Sequence, residues 1–81
     1  MSRARDVVEV VARTLADRPA AVRVTEREAR GQSFVELSMA PGDLGRVIGR
    51  QGRTAAAIRT LVNLAAELDG TKASVDFRDD D

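Results

Sequence analysis

Leu44-Gly45-Arg46-Val47-Ile48-Gly49-Arg50-Gln51-Gly52-Arg53 reads as a short helix, a two-glycine turn and the opening of a longer helix, with three arginines and no acid. Leu44, Val47 and Ile48 are the apolar contacts of the short helix, and Asp43 stands where an N-cap belongs. Gly49 ends that helix as a residue able to take positive φ. Arg50 and Gln51 fill the turn, and Gly52 opens the next helix. Two glycines remove two Cβ atoms, so a ligand backbone can approach the protein backbone closely. The first N–H groups of the second helix lack partners within it and sit at its positive end. Arg46, Arg50 and Arg53 add charge, and Gln51 adds a donor and an acceptor. Leu44, Gly45 and Ile48 line a wall against which bases can lie. A phosphate backbone suits such a turn.

The flanking sequence places this turn in a domain. Downstream, the long helix runs to about Leu68, with Ile58, Leu61, Val62, Ala65 and Leu68 expected on its core face. Ala57 and Leu64 widen that face beyond what one core-facing side needs. The extra edge is covered by the first helix or forms a self-association surface, with Ala57, Leu61 and Leu64 as the candidate dimer face. Asp69-Gly70-Thr71 leads into a last strand, Lys72 to Phe77, with Ala73, Val75 and Phe77 inward. Upstream, Val22 and Val24 alternate with Arg23, Thr25 and Arg27, then Arg30-Gly31-Gln32 turns the chain. Ser33 to Met39 resumes period two with Val35, Leu37 and Met39 on one face, so the pair is a hairpin. Phe34 falls on the opposite face, as an exposed apolar spot or a groove edge. A first helix covers about Arg5 to Ala16 through Val7, Val8, Val11, Ala12 and Leu15, and Pro19 ends it.

The order helix-strand-strand-helix-helix-strand predicts a two-layer α+β domain with helices on one face of a three-stranded mixed sheet. Residues 1–78 are expected to form one domain and 79–81 an acidic, solvated tail.

Composition narrows the chemistry. The 81 residues include no cysteine and no histidine, which removes disulfides, thiolate metal sites and the commonest general base together. Neither a metal nor another cofactor is expected, and an enzyme is not. No apolar run approaches the ~18 residues of a membrane span, so a soluble cytoplasmic protein is expected. Thirteen basic residues balance thirteen acidic ones. Four of the basic ones, Arg46, Arg50, Arg53 and Arg59, lie between Leu44 and Ala66 without an acid, leaving nine basic against thirteen acidic elsewhere, a net of −4. The field around the turn is therefore positive in a neutral chain. Phe34 and Phe77 are the only aromatics. They cannot build the stacking platform of many RNA binders, so bases would be held by an aliphatic groove and hydrogen bonds.

Val47-Ile48-Gly49-Arg50-Gln51-Gly52 within this element order resembles a type II KH domain, whose G-x-x-G loop clamps about four nucleotides of single-stranded backbone. The wider run from Pro41 to Arg59 is similar to the small bacterial single-KH RNA-binding proteins called KhpA. That resemblance implies binding of single-stranded RNA with little sequence specificity and a role as RNA chaperone or post-transcriptional regulator. It also implies homodimers and pairing with a larger protein that carries KH and R3H domains. By position it makes Gly49, Arg50, Gln51 and Gly52 the clamp, Gly45 and Ile48 the base groove, and Asp69-Gly70-Thr71 the loop opposite. A protein-interaction module that keeps the KH shell, and a single-stranded DNA binder, are the alternatives. Aspartate at both Gly49 and Gly52 is expected to weaken RNA binding by about tenfold or more while the fold survives.

Overall fold

The computed structural model describes residues 2–79. Its elements are α1 (Arg3–Leu15), β1 (Arg23–Ala29), β2 (Gln32–Met39), α2 (Leu44–Ile48), α3 (Arg53–Leu68) and β3 (Lys72–Asp79). Single 3-10 turns at Pro19–Ala21 and Arg50–Gly52 complete them. The sheet order is β1-β2-β3, with β1 and β2 antiparallel and β2 and β3 parallel. This is the α+β arrangement of three helices and a three-stranded mixed sheet that the sequence predicts.

The core forms where the two periodicities meet. Ser33, Val35, Leu37 and Met39 alternate into the helical layer and are all buried. Val75 opposes Val35 in the β2–β3 register, and Val24 opposes Leu37 across the hairpin. Ala4, Val8 and Ala12 of α1 and Ile58, Val62 and Ala66 of α3 close the other side, with Val47 of α2 filling the end. Burying a side chain the size of Leu37 contributes about 1.5–3 kcal/mol, so the six largest fully buried apolar side chains, Leu37, Met39, Val8, Val35, Val47 and Val62, are the main stabilising term of a domain this small.

Local chemistry sets the boundaries, and several differ from expectation. α1 starts two residues earlier than predicted, because the Ser2 hydroxyl accepts the Arg5 N–H at 3.1 Å and caps it. The same hydroxyl donates to the Glu26 carboxylate, which also accepts the buried Ser33 hydroxyl. The hairpin turn is the two residues Arg30 and Gly31, both left-handed at φ 53° and 76°, with Ala29 opposite Gln32. Asp43 precedes α2 but caps nothing: its buried carboxylate takes the Arg18 N–H at 3.0 Å. β3 continues to Asp79, so the expected tail begins inside a strand; Asp80 and Asp81 lie outside the described residues.

The largest correction concerns α3. Leu61 and Leu68 are not core residues, at 49% and 74% exposed, and Leu64 is exposed as well. The core arc of α3 is instead Ala55, Ile58, Val62, Ala65 and Ala66. α1 packs beside α3 in the opposite direction, tied by the Arg3 N–H to Asp69 at 3.0 Å. It does not reach across the outer flank, so the extra apolar edge stays open.

Candidate nucleic-acid interface

Everything that positions the turn is local. The Gly49 N–H closes α2 on the Gly45 carbonyl at 2.9 Å. Gly49 then adopts φ 75°, ψ 175°, a region open in practice only to glycine. A Cβ there would come within 2.8 Å of the Thr54 Cβ and 3.2 Å of its backbone nitrogen. Gly49 is thus required twice, by its dihedrals and by the approach of α3. The expectation that Gly49→Asp spares the fold does not fit this packing. Gly52 differs: it is left-handed at φ 71°, and a Cβ there meets nothing within 4 Å.

Gln51 is also left-handed, at φ 57°. The Gly52 N–H returns to the Gly49 carbonyl at 3.2 Å, and the Arg53 N–H to that of Arg50. Two of the four N–H groups that a helix start leaves over are therefore used, and the free donors begin at Thr54. No side chain caps α3. α3 opens directly onto solvent at its positive end, beside an exposed loop.

The four arginines of the acid-free stretch have separate fates. Arg50 is exposed and makes no ion pair with any described residue. Arg53 donates to the Gln51 Oε1 at 3.0 Å, which fixes that amide over the loop. Arg46 faces away: it reaches Asp17 at 3.3 Å and Asp43 at 3.7 Å, across α2 from Gly45 and Ile48. It fastens α2 to the α1–β1 connection and does not join the loop. Arg59 lies over the Phe77 ring at 4.8 Å, on the flank of α3 that faces β3.

Ile48, 36% exposed, and Gly45 share the open side of α2 beside the loop, as expected. Leu44 is half-buried and packs on the core, so it supports that wall from beneath. The rest of the groove was not named from sequence. It runs along α3 against β3, where Arg59, Val62 and Asn63 face Ala73, Ser74 and Val75 around a cleft of about 160 Å³. β3 is an edge strand. The Lys72 N–H bonds toward β2, on the Gly31 carbonyl. Because main-chain groups alternate sides along a strand, Ala73, Val75 and Phe77 present their N–H and C=O to the open edge. A helix–strand–helix reading can locate such an edge only once strand order is known.

Neither aromatic offers a bare face to this groove. Phe77 sits under Arg59. Phe34 sits on the far side of the sheet, half-buried under the Arg27 guanidinium at 5.0 Å, where with Thr25, Ser74 and Arg78 it lines a separate hollow away from the α3–β3 groove. Among the described residues no cluster of His, Cys, Asp or Glu could hold a metal ion. No described helix is long and apolar enough to cross a membrane.

Comparison with known proteins agrees with this architecture. A crystal structure of Era from Aquifex aeolicus bound to GDP.AlF4- superposes on 94% of this chain and 29% of its own, with a TM-score of 0.62 at 16% identity, a likeness of fold. The RNA-binding protein KhpA of Clostridium perfringens is 42% identical over 73 residues, covering 90% of this chain and 97% of that protein. That of Caldanaerobacter subterraneus subsp. tengcongensis is 49% identical over 61 residues, 75% of this chain and 81% of the relative. That of Leifsonia xyli is 46% identical over 70 residues, 86% and 90%. The family description "KhpA/KhpB, KH domain" matches residues 5–77. With its fold, its two-glycine loop between α2 and α3 and these relatives in agreement, the chain belongs to the KhpA/KhpB KH-domain family.

Proposed function

We propose that the protein binds single-stranded RNA, gripping the backbone at Gly49-Arg50-Gln51-Gly52 and laying the bases along α3 and the open edge of β3. The observation that carries this is the end of α3. It has no side-chain cap, a glycine cap with open space beside it, and an arginine, Arg50, with no acid to satisfy. Helix-end N–H groups, a positive dipole end and an unpaired guanidinium in the adjoining loop are the groups that suit a phosphate. The RNA-binding relatives point to the same ligand class. Groove contacts made by backbone, Asn63 and Arg59, with both aromatics covered, favour loose sequence preference. A role as RNA chaperone or regulator, in the cytoplasm, follows from the family resemblance.

Titrating a fluorescent single-stranded RNA into the protein tests this. Two to four engaged phosphates give a slope of log K against log salt of roughly −1.5 to −3. Gly52→Asp with Arg50→Glu is expected to weaken binding by about tenfold or more, with unchanged circular dichroism. Full binding by that folded variant would refute the clamp. Equal affinity for DNA of the same sequence would make the ligand any single strand, since such a clamp does not itself read the 2′-hydroxyl.

A second reading rests on the outer flank of α3. Ala57, Leu61, Leu64 and Leu68 are exposed there, and Val10 of the neighbouring α1 is 64% exposed beside Val7 and Val11. We infer that this flank pairs with a second copy, the larger KH/R3H-domain protein of the resemblance being the other candidate partner. Light scattering that finds only monomer at high concentration would set the second copy aside.

A further inference from the structure

Among the described residues other than glycine, two hold a left-handed backbone: Gln51 and Arg30. Gln51 is in the clamp. Arg30 is at the opposite end of α3, in the β1–β2 turn, which meets the α3–β3 connection where the Lys72 N–H donates to the Gly31 carbonyl at 3.1 Å. A turn with both residues left-handed is best filled by asparagine, aspartate or glycine at its first position. Arginine there brings the Cβ close to the following carbonyl and has no short polar group to bond back. Packing gives no reason for it. The Arg30 side chain is exposed and ion-pairs with no described residue, and the same is true of Lys72.

The two cations share an open hollow of about 590 Å³ with Gly70, Thr71 and Glu67. Glu67 is the one acid lining it, because Asp69 is held by the Arg3 N–H and guanidinium. Glu67 follows Asn63 by four residues on the same flank of α3, so the hollow lies beyond the α3–β3 cleft along that flank, at the end of α3 away from the clamp. α3 has 16 residues. At 1.5 Å per residue the two ends stand about 24 Å apart.

We propose that Arg30 and Lys72 form a second phosphate-binding point for the same RNA strand, so that the strand is held at both ends of α3 with its bases between. This rests on the RNA reading above. It predicts a dependence on strand length that the clamp alone lacks. About five nucleotides fill the clamp with about one to spare, since a loop of this kind holds about four. At a rise of about 3.4 Å per stacked nucleotide the α3 track takes about seven more, so about twelve reach both ends.

The experiment measures anisotropy of labelled single-stranded RNAs of those two lengths. It is repeated in Leu61→Asp with Leu64→Asp, so that one strand bridging two copies is not mistaken for one strand on one copy. Arg30→Glu with Lys72→Glu is expected to weaken the longer strand about tenfold, the loss of two phosphate contacts near physiological salt. The shorter strand is expected to bind as before. Equal losses on both lengths, or none on the longer, overturn the proposal. Arg30→Gly is expected to raise the melting temperature by relieving the turn and still to lower long-strand affinity; unchanged affinity removes Arg30 from the site. Gly52→Asp with Arg50→Glu weakens both lengths if the clamp reading holds. If it weakens neither, the clamp fails while the length test of the far end still reads independently.

Discussion

The two flanks of α3 are made from the same helix and given opposite surfaces. Toward β3 it shows Arg59 and Asn63 over an open strand edge. Away from β3 it shows Ala57, Leu61, Leu64 and Leu68 to solvent. The core arc between them is narrow and built largely from small residues, Ala55, Ala65 and Ala66 with Ile58 and Val62. A narrow arc leaves both flanks uncovered, one polar and one apolar. What the contrast teaches is that a two-layer domain of this size can carry two open surfaces of opposite character on one helix without adding an element.

The contrast can be broken at either flank. The largest effect is expected on the apolar side: Leu61→Asp with Leu64→Asp should turn any dimer wholly into monomer by light scattering while short RNA strands bind unchanged. A loss of short-strand binding in that folded variant would show that the flanks are not independent. Next comes Gly52→Asp with Arg50→Glu, with its loss of about tenfold or more and an unchanged oligomeric state. Asn63→Ala should cost about fivefold in affinity, the worth of one net hydrogen bond of about 1 kcal/mol. No change there would move the bases off the β3 edge.

The smallest effect lies in neither flank and serves as the control. Burial pushes the Glu26 carboxyl up, but the Ser2 and Ser33 hydroxyls and the Ser2 N–H more than reverse this, holding it below its ordinary 4.5. A group depressed in the folded state contributes stability that is present above its unfolded value and lost as pH falls through the folded one. Glu26→Gln should therefore lower stability at neutral pH by about 1 kcal/mol, read as a lower melting temperature, and blunt the further drop below pH 4.5. RNA affinity at neutral pH should not move. Glu9 and Asp69, also held low by arginines, leave the variant some acid sensitivity.

Much of this was legible in the sequence for a simple reason. Periods of two and of near four fix which residues can face one layer, and Val35, Leu37, Met39, Val8, Val62 and Ile58 all do. The two-glycine loop was legible because positive φ and missing Cβ atoms leave few residue choices. Direction was not legible. Arg46 shares the stretch with Arg50 but points across α2 to Asp17 and Asp43, and sequence distance does not encode that side. Leu61 and Leu68 fit the core stripe by period, yet how wide an arc a neighbour covers depends on where α1 lies. Glu26 falls by period two on the inward face with Val22 and Val24, but nothing in the sequence names the two serines, Ser2 and Ser33, that receive its carboxylate there. The open edge of β3 is a property of strand order, which no single segment carries.

That edge has a further consequence. Ala73, Val75 and Phe77 direct unpaired main-chain groups outward along a strand of eight residues, which is a template for another strand as much as for a base. The sequence interrupts the template with charge at Lys72, Asp76 and Arg78, four and then two positions apart along the strand. A nucleic acid seated on the edge would do the same by occupation. The unliganded chain is thus the form exposed to strand-on-strand aggregation, and a ligand on that edge would double as a guard against it.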